Sequence, residues 1–169
     1  MSPILDTYDV SEDALNLKNM LDEVLKRVEA TFISYNVPLP ERRYWTMGIP
    51  VVDCEQLAVS FVQMYLGTPG DQANQPQRCS VPRSAVLSIS VSRAIPVVGQ
   101  NGRAPSADKI QEGSVISAVD AYVLMESINA LDTWEDGGSF GMGVIATTEA
   151  PAAEGGFQTI SMQITMVIP

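Results

Sequence analysis

Apolar residues recur every three or four positions between residues 12 and 35: Ala14, Leu17, Leu21, Val24, Val28, Phe32 and Tyr35. Lys18, Asp22, Lys26 and Glu29 fall largely on other sides, so the spacing predicts a surface helix with one buried stripe. Asp9 and Glu12 stand ahead of it at capping-box spacing, with Asp in place of Ser or Thr. Pro38 and Pro40 end the helix, and residues 37–52, which also hold Pro50, are too rich in proline for another.

The period then changes to two. Residues 55–66 read as a strand, with Leu57, Val59, Phe61 and Tyr65 on one side and Gln56, Ala58 and Ser60 on the other. A polar loop over residues 67–82 exceeds most hairpin connections in length, which marks it as functional or mobile. Residues 84–95 form a second strand in which Leu87, Ile89 and Val91 alternate with Ser88, Ser90 and Ser92. After a loop over 96–105, Ser106 caps a helix reaching Leu131, with apolar positions at Ile110, Val119, Val123, Leu124, Ile128 and Leu131. Gly113 weakens its early part and leaves two shorter helices open. Two further strands follow over residues 141–149 and 157–168. In the last, Ile160, Met162, Ile164, Met166 and Ile168 face one way, and Thr159, Ser161, Gln163 and Thr165 the other.

These elements predict an α+β fold in the order α-β-β-α-β-β: a mostly antiparallel four-stranded sheet with two helices packed on one face. The 169 residues suit a single domain, with residues 1–11 as an N-terminal arm and 12–168 as the core. The opposite sheet face joins Ser88, Ser90, Ser92, Thr159, Ser161, Gln163 and Thr165, which are polar but uncharged. A solvated face ordinarily mixes in Lys and Glu, so this makeup suits a subunit contact or a channel wall as well as a water-facing sheet.

Composition narrows the chemistry. The chain has no histidine, which disfavours Ser-His-Asp triads and His-bearing zinc sites. The formal charge is −10, unevenly spread. Residues 1–109 hold 10 bases and 12 acids, a net of −2, whereas 110–169 hold 8 acids and no base, a net of −8. A surface built from the acidic third does not neutralise a phosphate backbone. No stretch reaches the ~20 apolar residues of a bilayer span, and no signal peptide is recognisable. Cys54 and Cys79 match no metal or redox spacing. Placed toward opposite ends of a hairpin, they are expected as two reduced thiols.

Single motifs resolve to plain roles. Ser106-Ala-Asp-Lys109 matches S-x-x-K but lacks its companion motifs, so Ser106 reads as a helix cap. Gly141-Met-Gly-Val-Ile-Ala146 precedes a strand where a dinucleotide fold needs a helix. Asp120 and Glu126 are six apart, point in different directions and are expected on a solvated helix face. Asp132, Glu135 and Asp136 lack calcium-loop spacing and read as a solvated loop. Arg42, Arg43, Tyr44 and Trp45 mix bases with aromatics, and in so acidic a chain that mixture predicts a protein interface.

The arrangement Cys79-x-x-x-Arg83-Ser-Ala-Val-Leu-Ser-Ile-Ser-Val-x-Arg93-x-x-Pro96, then Gly102-x-x-Pro105-Ser106-Ala107, a helix bearing Asp120-Ala-x-x-Leu124 and a closing hairpin resembles tail-terminator proteins of long-tailed bacteriophages, especially those infecting actinobacteria. The resemblance spans most of residues 12–168. It implies a virion protein, assembled in the host cytoplasm, that closes as a homo-oligomeric ring, usually hexameric, on the finished tail tube. The ring stops tube polymerisation and forms the joint to the head connector. It implies no catalytic residue, cofactor or metal. DNA passes through without specific binding, a task that a neutral or negative lumen serves, and no membrane is involved. The polar sheet face or the acidic third is the expected lumen wall. Residues 42–45 and the loops 67–82 and 150–156 are the expected contacts to neighbouring subunits, tube and connector. Another neck or tail component, such as a connector, stopper or tube subunit, is the alternative, and a small acidic enzyme a more remote one.

Overall fold

A computed structural model describes residues 12–70, 82–98, 102–132, 145–150 and 156–168. Helix α1 runs over Glu12–Ser34, strand β1 over Arg42–Met47, β2 over Gln56–Leu66 and β3 over Arg83–Ala94. Helix α2 spans Ala107–Asp132, and strands β4 and β5 span Ile145–Glu149 and Phe157–Ile168. The fold is α+β, but the sheet has five strands in the order β1-β2-β3-β5-β4 and is mixed. β1 runs parallel to β2, while the other neighbours are antiparallel. The expected four-stranded sheet therefore gains an edge strand inside the proline-rich segment. Pro38, Pro40 and Pro50 flank β1 without entering it, so none removes a ladder donor.

Both helices pack on one side of the sheet. Met20, Leu21, Val24, Val28 and Phe32 of α1 meet Leu57, Val59, Leu87, Ile89, Val91, Ile160, Met162, Ile164 and Met166 in one buried core. From α2 only Val123, Leu124 and Leu131 are fully buried there, with Ile128 partly so. The end of α1 follows from its backbone. Asn36 takes φ 59°, and the Asn36 and Val37 amides donate to the Ile33 and Phe32 carbonyls at 3.0 Å, closing a Schellman turn just before Pro38. Helix α2 is continuous through Gly113. Its start is capped by Ser106, whose Oγ accepts from the Lys109 amide at 3.5 Å.

A one-residue irregularity between Phe61 and Gln63 changes the reading of β2. Phe61 pairs with Leu87 and Tyr65 with Ser84, so Tyr65 lies on the face opposite Leu57, Val59 and Phe61 rather than beside them. An extra residue in one strand shifts every later side chain to the other face. The connection from β1 to β2, residues 48–55, is short for a parallel crossover, which ordinarily takes a dozen residues or more. It has only to retrace the six residues of β1, roughly 20 Å at ~3.3 Å each. Gly48, at φ 90°, turns the chain into it and donates its amide to the Phe61 carbonyl at 3.0 Å.

Candidate functional site

The sheet face away from the helices carries the predicted polar residues. In register across β3 and β5, Ser88 pairs with Gln163, Ser90 with Ser161 and Ser92 with Thr159, and Thr165 lies further along β5. They differ in access. Ser90 and Ser92 are buried, whereas Ser88, Thr159, Ser161 and Thr165 are half-buried and Gln163 is exposed. Neighbouring hydroxyls are satisfied locally: Ser92 and Thr159 share a hydrogen bond of 2.9 Å, and Ser60 donates to the Ser88 carbonyl at 3.3 Å. The 48–55 crossover lies over part of this face. Gln56 donates from Nε2 to the Val51 carbonyl at 2.9 Å. Ile49, Pro50 and Val52 wall a cleft of about 490 Å³ whose floor is Ser88, Ser90, Thr159, Ser161 and Gln163. A smaller hollow of about 150 Å³ extends toward Thr147 and Glu149. Among the described residues of β2 to β5, this face holds Glu149 as an acid and no base, because Arg83 and Arg93 share the opposite face with Leu87 and Val91.

Strand alternation separates the predicted interface cluster. Arg42 and Tyr44 pair with Gln56 and Ala58 and share their face; Arg43 and Trp45 pair with Leu57 and Val59 and point to the helices. Each is engaged within the chain. Arg42 forms an ion pair with Asp53 and lies over the Tyr44 ring at 5.3 Å. Tyr44 donates its hydroxyl to Gln56 Oε1 at 3.3 Å. Arg43 pairs with Glu29 at 3.2 Å and Trp45 donates its indole N–H to Asp22 at 2.6 Å, which ties edge strand β1 to α1. Cys54 is half-buried, with its sulfur 3.5 Å from Arg42 Nη1. Cys79 and the glycine-rich residues 141–144 lie outside the described residues, as do Asp9, Glu135, Asp136 and the loop cores 71–81 and 151–155.

The expectation of a solvated Asp120 is overturned. Its side chain is 1% exposed and receives two 3.0 Å hydrogen bonds from the Arg93 guanidinium, itself 11% exposed. Arg93 also donates to the Pro38 carbonyl at 2.7 Å, so one pair joins β3, α2 and the turn after α1. A buried carboxylate without such a partner is too costly to keep charged. Glu126 points elsewhere, as the helical spacing requires. It accepts from the Tyr35 hydroxyl at 3.1 Å, and Tyr35 stacks edge-on against Tyr122 at 5.7 Å. The hydrogen bond to the Glu126 carboxylate is the main reason that the Tyr35 phenol is pushed up to about 12.

Helix α2 also departs from its expected stripe. Ile110 and Val119 are 53% and 39% exposed, and Val115, Ile116, Tyr122 and Met125 are likewise open. Clefts of about 660 and 400 Å³ flank its N-terminal half, the first lined by Ile95, Ile110, Ala121 and Ile160, the second by Val37, Val115, Ile116 and Val119. Contrary to the sequence expectation, residues 107–131 are long and apolar enough in composition to cross a membrane. In this fold their C-terminal half enters the core and Asp120 is anchored to the sheet. The run Val115-Ile-Ser-Ala-Val-Asp-Ala-Tyr-Val-Leu-Met125, apolar on several sides of one helix, was the available signal for this surface.

No group of three or more potential metal-ligating side chains comes together among the described residues. The chain matches no protein-family model and no curated protein.

Proposed function

We propose that this protein is a structural subunit of a phage tail, a tail terminator that closes as a ring on the completed tube and joins it to the head connector. The observation that carries the reading is the outer sheet face. Its polar positions across β2 to β5 are hydroxyls and amides with Glu149 and no base among the described residues, and Arg42 at the β1 edge of the same face is ion-paired with Asp53. Across these four strands a passing polyanion meets no cation to exchange for its counterions, so DNA slides by without being held. The acid-rich third adds a negative field that repels phosphate.

The test is assembly on a template. Purified protein added to growing tail tubes should cap one end and arrest elongation, seen by negative-stain microscopy as tubes of limited length bearing a terminal ring. Tubes that elongate unchanged and bare would overturn the reading, and polymerisation of this chain alone into long tubes would reassign it to the tube itself.

A further inference from the structure

The two halves of α2 are held very differently. From Asp120 onward the helix is clamped: Arg93 donates twice to Asp120, Val123, Leu124, Ser127 and Leu131 are buried, and Arg27 donates to the Ala130 carbonyl at 2.6 Å. Between residues 107 and 119, Ser117 is the one buried residue, Gly113 is half-buried, and Ile110, Val115, Ile116 and Val119 stand open. Clefts of about 660 and 400 Å³ flank this half, and Gly113 lines both, so the helix rests on the body of the protein between two hollows. A Cβ on Gly113 would stand there 3.7 Å from Pro96 Cδ. Among the described residues, no ion pair holds Asp108, Lys109 or Glu112 to another element.

We propose that residues 107–116 are a separately opening arm, which passes between docked helix and undocked chain while the core and the C-terminal half of α2 stay folded. Its opening does not depend on the terminator reading. Helical segments shorter than ~12–15 residues are marginal in water and take their stability from a buried face, and residues 107–116 bury no side chain fully. The local sequence weakens the helix further. Gly113 favours it about fivefold less than alanine would, and Val115 and Ile116 are β-branched and stiff at χ1. Ser114 and Ser117 turn their hydroxyls back onto the Ile110 and Gly113 carbonyls at 2.9 and 3.2 Å, a contact that loosens and bends helices. All of these lie between the Ser106 cap and the Asp120 anchor, so unwinding stops where Ser117 becomes buried and Arg93 holds Asp120. Opening removes the wall between the two clefts and joins them into one hollow, with Ile95, Pro96 and Ile160 on one side and Val37 and Ala94 on the other.

Native-state hydrogen exchange of the full chain, read by NMR at stepped low urea, tests this. Amides 111–116 should exchange about a hundredfold or more faster than those of 123–131, yet more slowly than an unstructured chain. Their rates should also depend little on urea, because opening the arm exposes far less surface than global unfolding does. Two variants separate the units. Leu124→Ala should speed exchange at 123–131 by about thirtyfold or more, as loss of a core side chain does, and leave 111–116 unchanged, since the arm opens with Leu124 still packed. Gly113→Ala fits the ordinary 3.7 Å contact with Pro96 and should slow amides 111–116 about fivefold, the difference in helix preference between the two residues. Equal rates or equal urea dependence in the two halves, or Leu124→Ala speeding both alike, would overturn the arm, because α2 would then open only as one piece. Amides 111–116 without protection, or unmoved by Gly113→Ala, would overturn it too, since no docked helix would be unwinding.

Discussion

Asp120 and Arg93 form one bidentate pair, largely away from water, that joins β3, α2 and the turn after α1. Removing one partner leaves the other charge buried and unmatched, so Asp120→Ala is expected to cost about 3–5 kcal/mol in urea unfolding. Replacing both, Asp120→Leu with Arg93→Met, should recover much of that loss; a double variant no better than the single would contradict the pairing argument. Tyr35 shifts in the opposite direction to a carboxylate held by a cation. Its phenol is neutral when folded and hydrogen-bonded to Glu126, and it is pushed up to about 12 from the usual 10. The stabilisation is therefore fully present below pH 10 and fades as pH rises from 10 toward 12. Tyr35→Phe should flatten that part of the stability profile, measured by chemical unfolding at stepped pH. Neither contact is visible in local sequence. Asp120 and Glu126 look alike as isolated acids on one helix, and only the arrival of Arg93 and Tyr35 from elsewhere separates their roles.

Among the elements, the two helices contrast. Helix α1 buries Leu21, Val24, Val28 and Phe32 of the stripe that its period announces, with Leu17 half-buried, because one face meets the sheet; Tyr35, past the helix end, is instead 44% exposed. Helix α2 is apolar over several sides, and its halves diverge: Val123, Leu124 and Leu131 enter the core while Val115, Ile116 and Val119 stay open. Leu124→Ala should cost about 2–5 kcal/mol in thermal or urea unfolding, as cavity formation in a packed core does. Ile116→Ala, at 47% exposed, should change monomer stability by less than about 1 kcal/mol under the same conditions. Equal losses at the two positions would mean that the N-terminal half of α2 is packed as well. Strand β1 was illegible for a different reason. Its six residues mix charged, aromatic and apolar side chains without a clean alternation, and it is held at the sheet edge by Trp45 and Arg43 reaching back to α1.

At the scale of the whole molecule, the two sides of the sheet have divided tasks: one forms the core, the other a neutral wall roofed in part by the crossover. If that wall is built not to hold DNA, lysines placed on its open part should change its behaviour. Wild-type protein is expected to pass a DNA column at low salt without delay, and Ser161→Lys with Gln163→Lys to be retained and eluted by salt. Retention of the wild type would remove the neutral-wall argument.

The amino-acid sequence by itself determined the α1 stripe, the alternation in β3 and β5, the cap at Ser106, and the charge asymmetry. Each depends on backbone periods or composition that hold wherever the segment ends up. Tertiary structure alone decided that β1 joins the sheet, that the irregularity after Phe61 turns Tyr65 to the far face, that Asp120 is buried, and that Ser90 and Ser92 lose the water Gln163 keeps. Those outcomes turn on which distant segments come together, and a side chain's pairing or exposure is a property of that meeting, which no local pattern encodes.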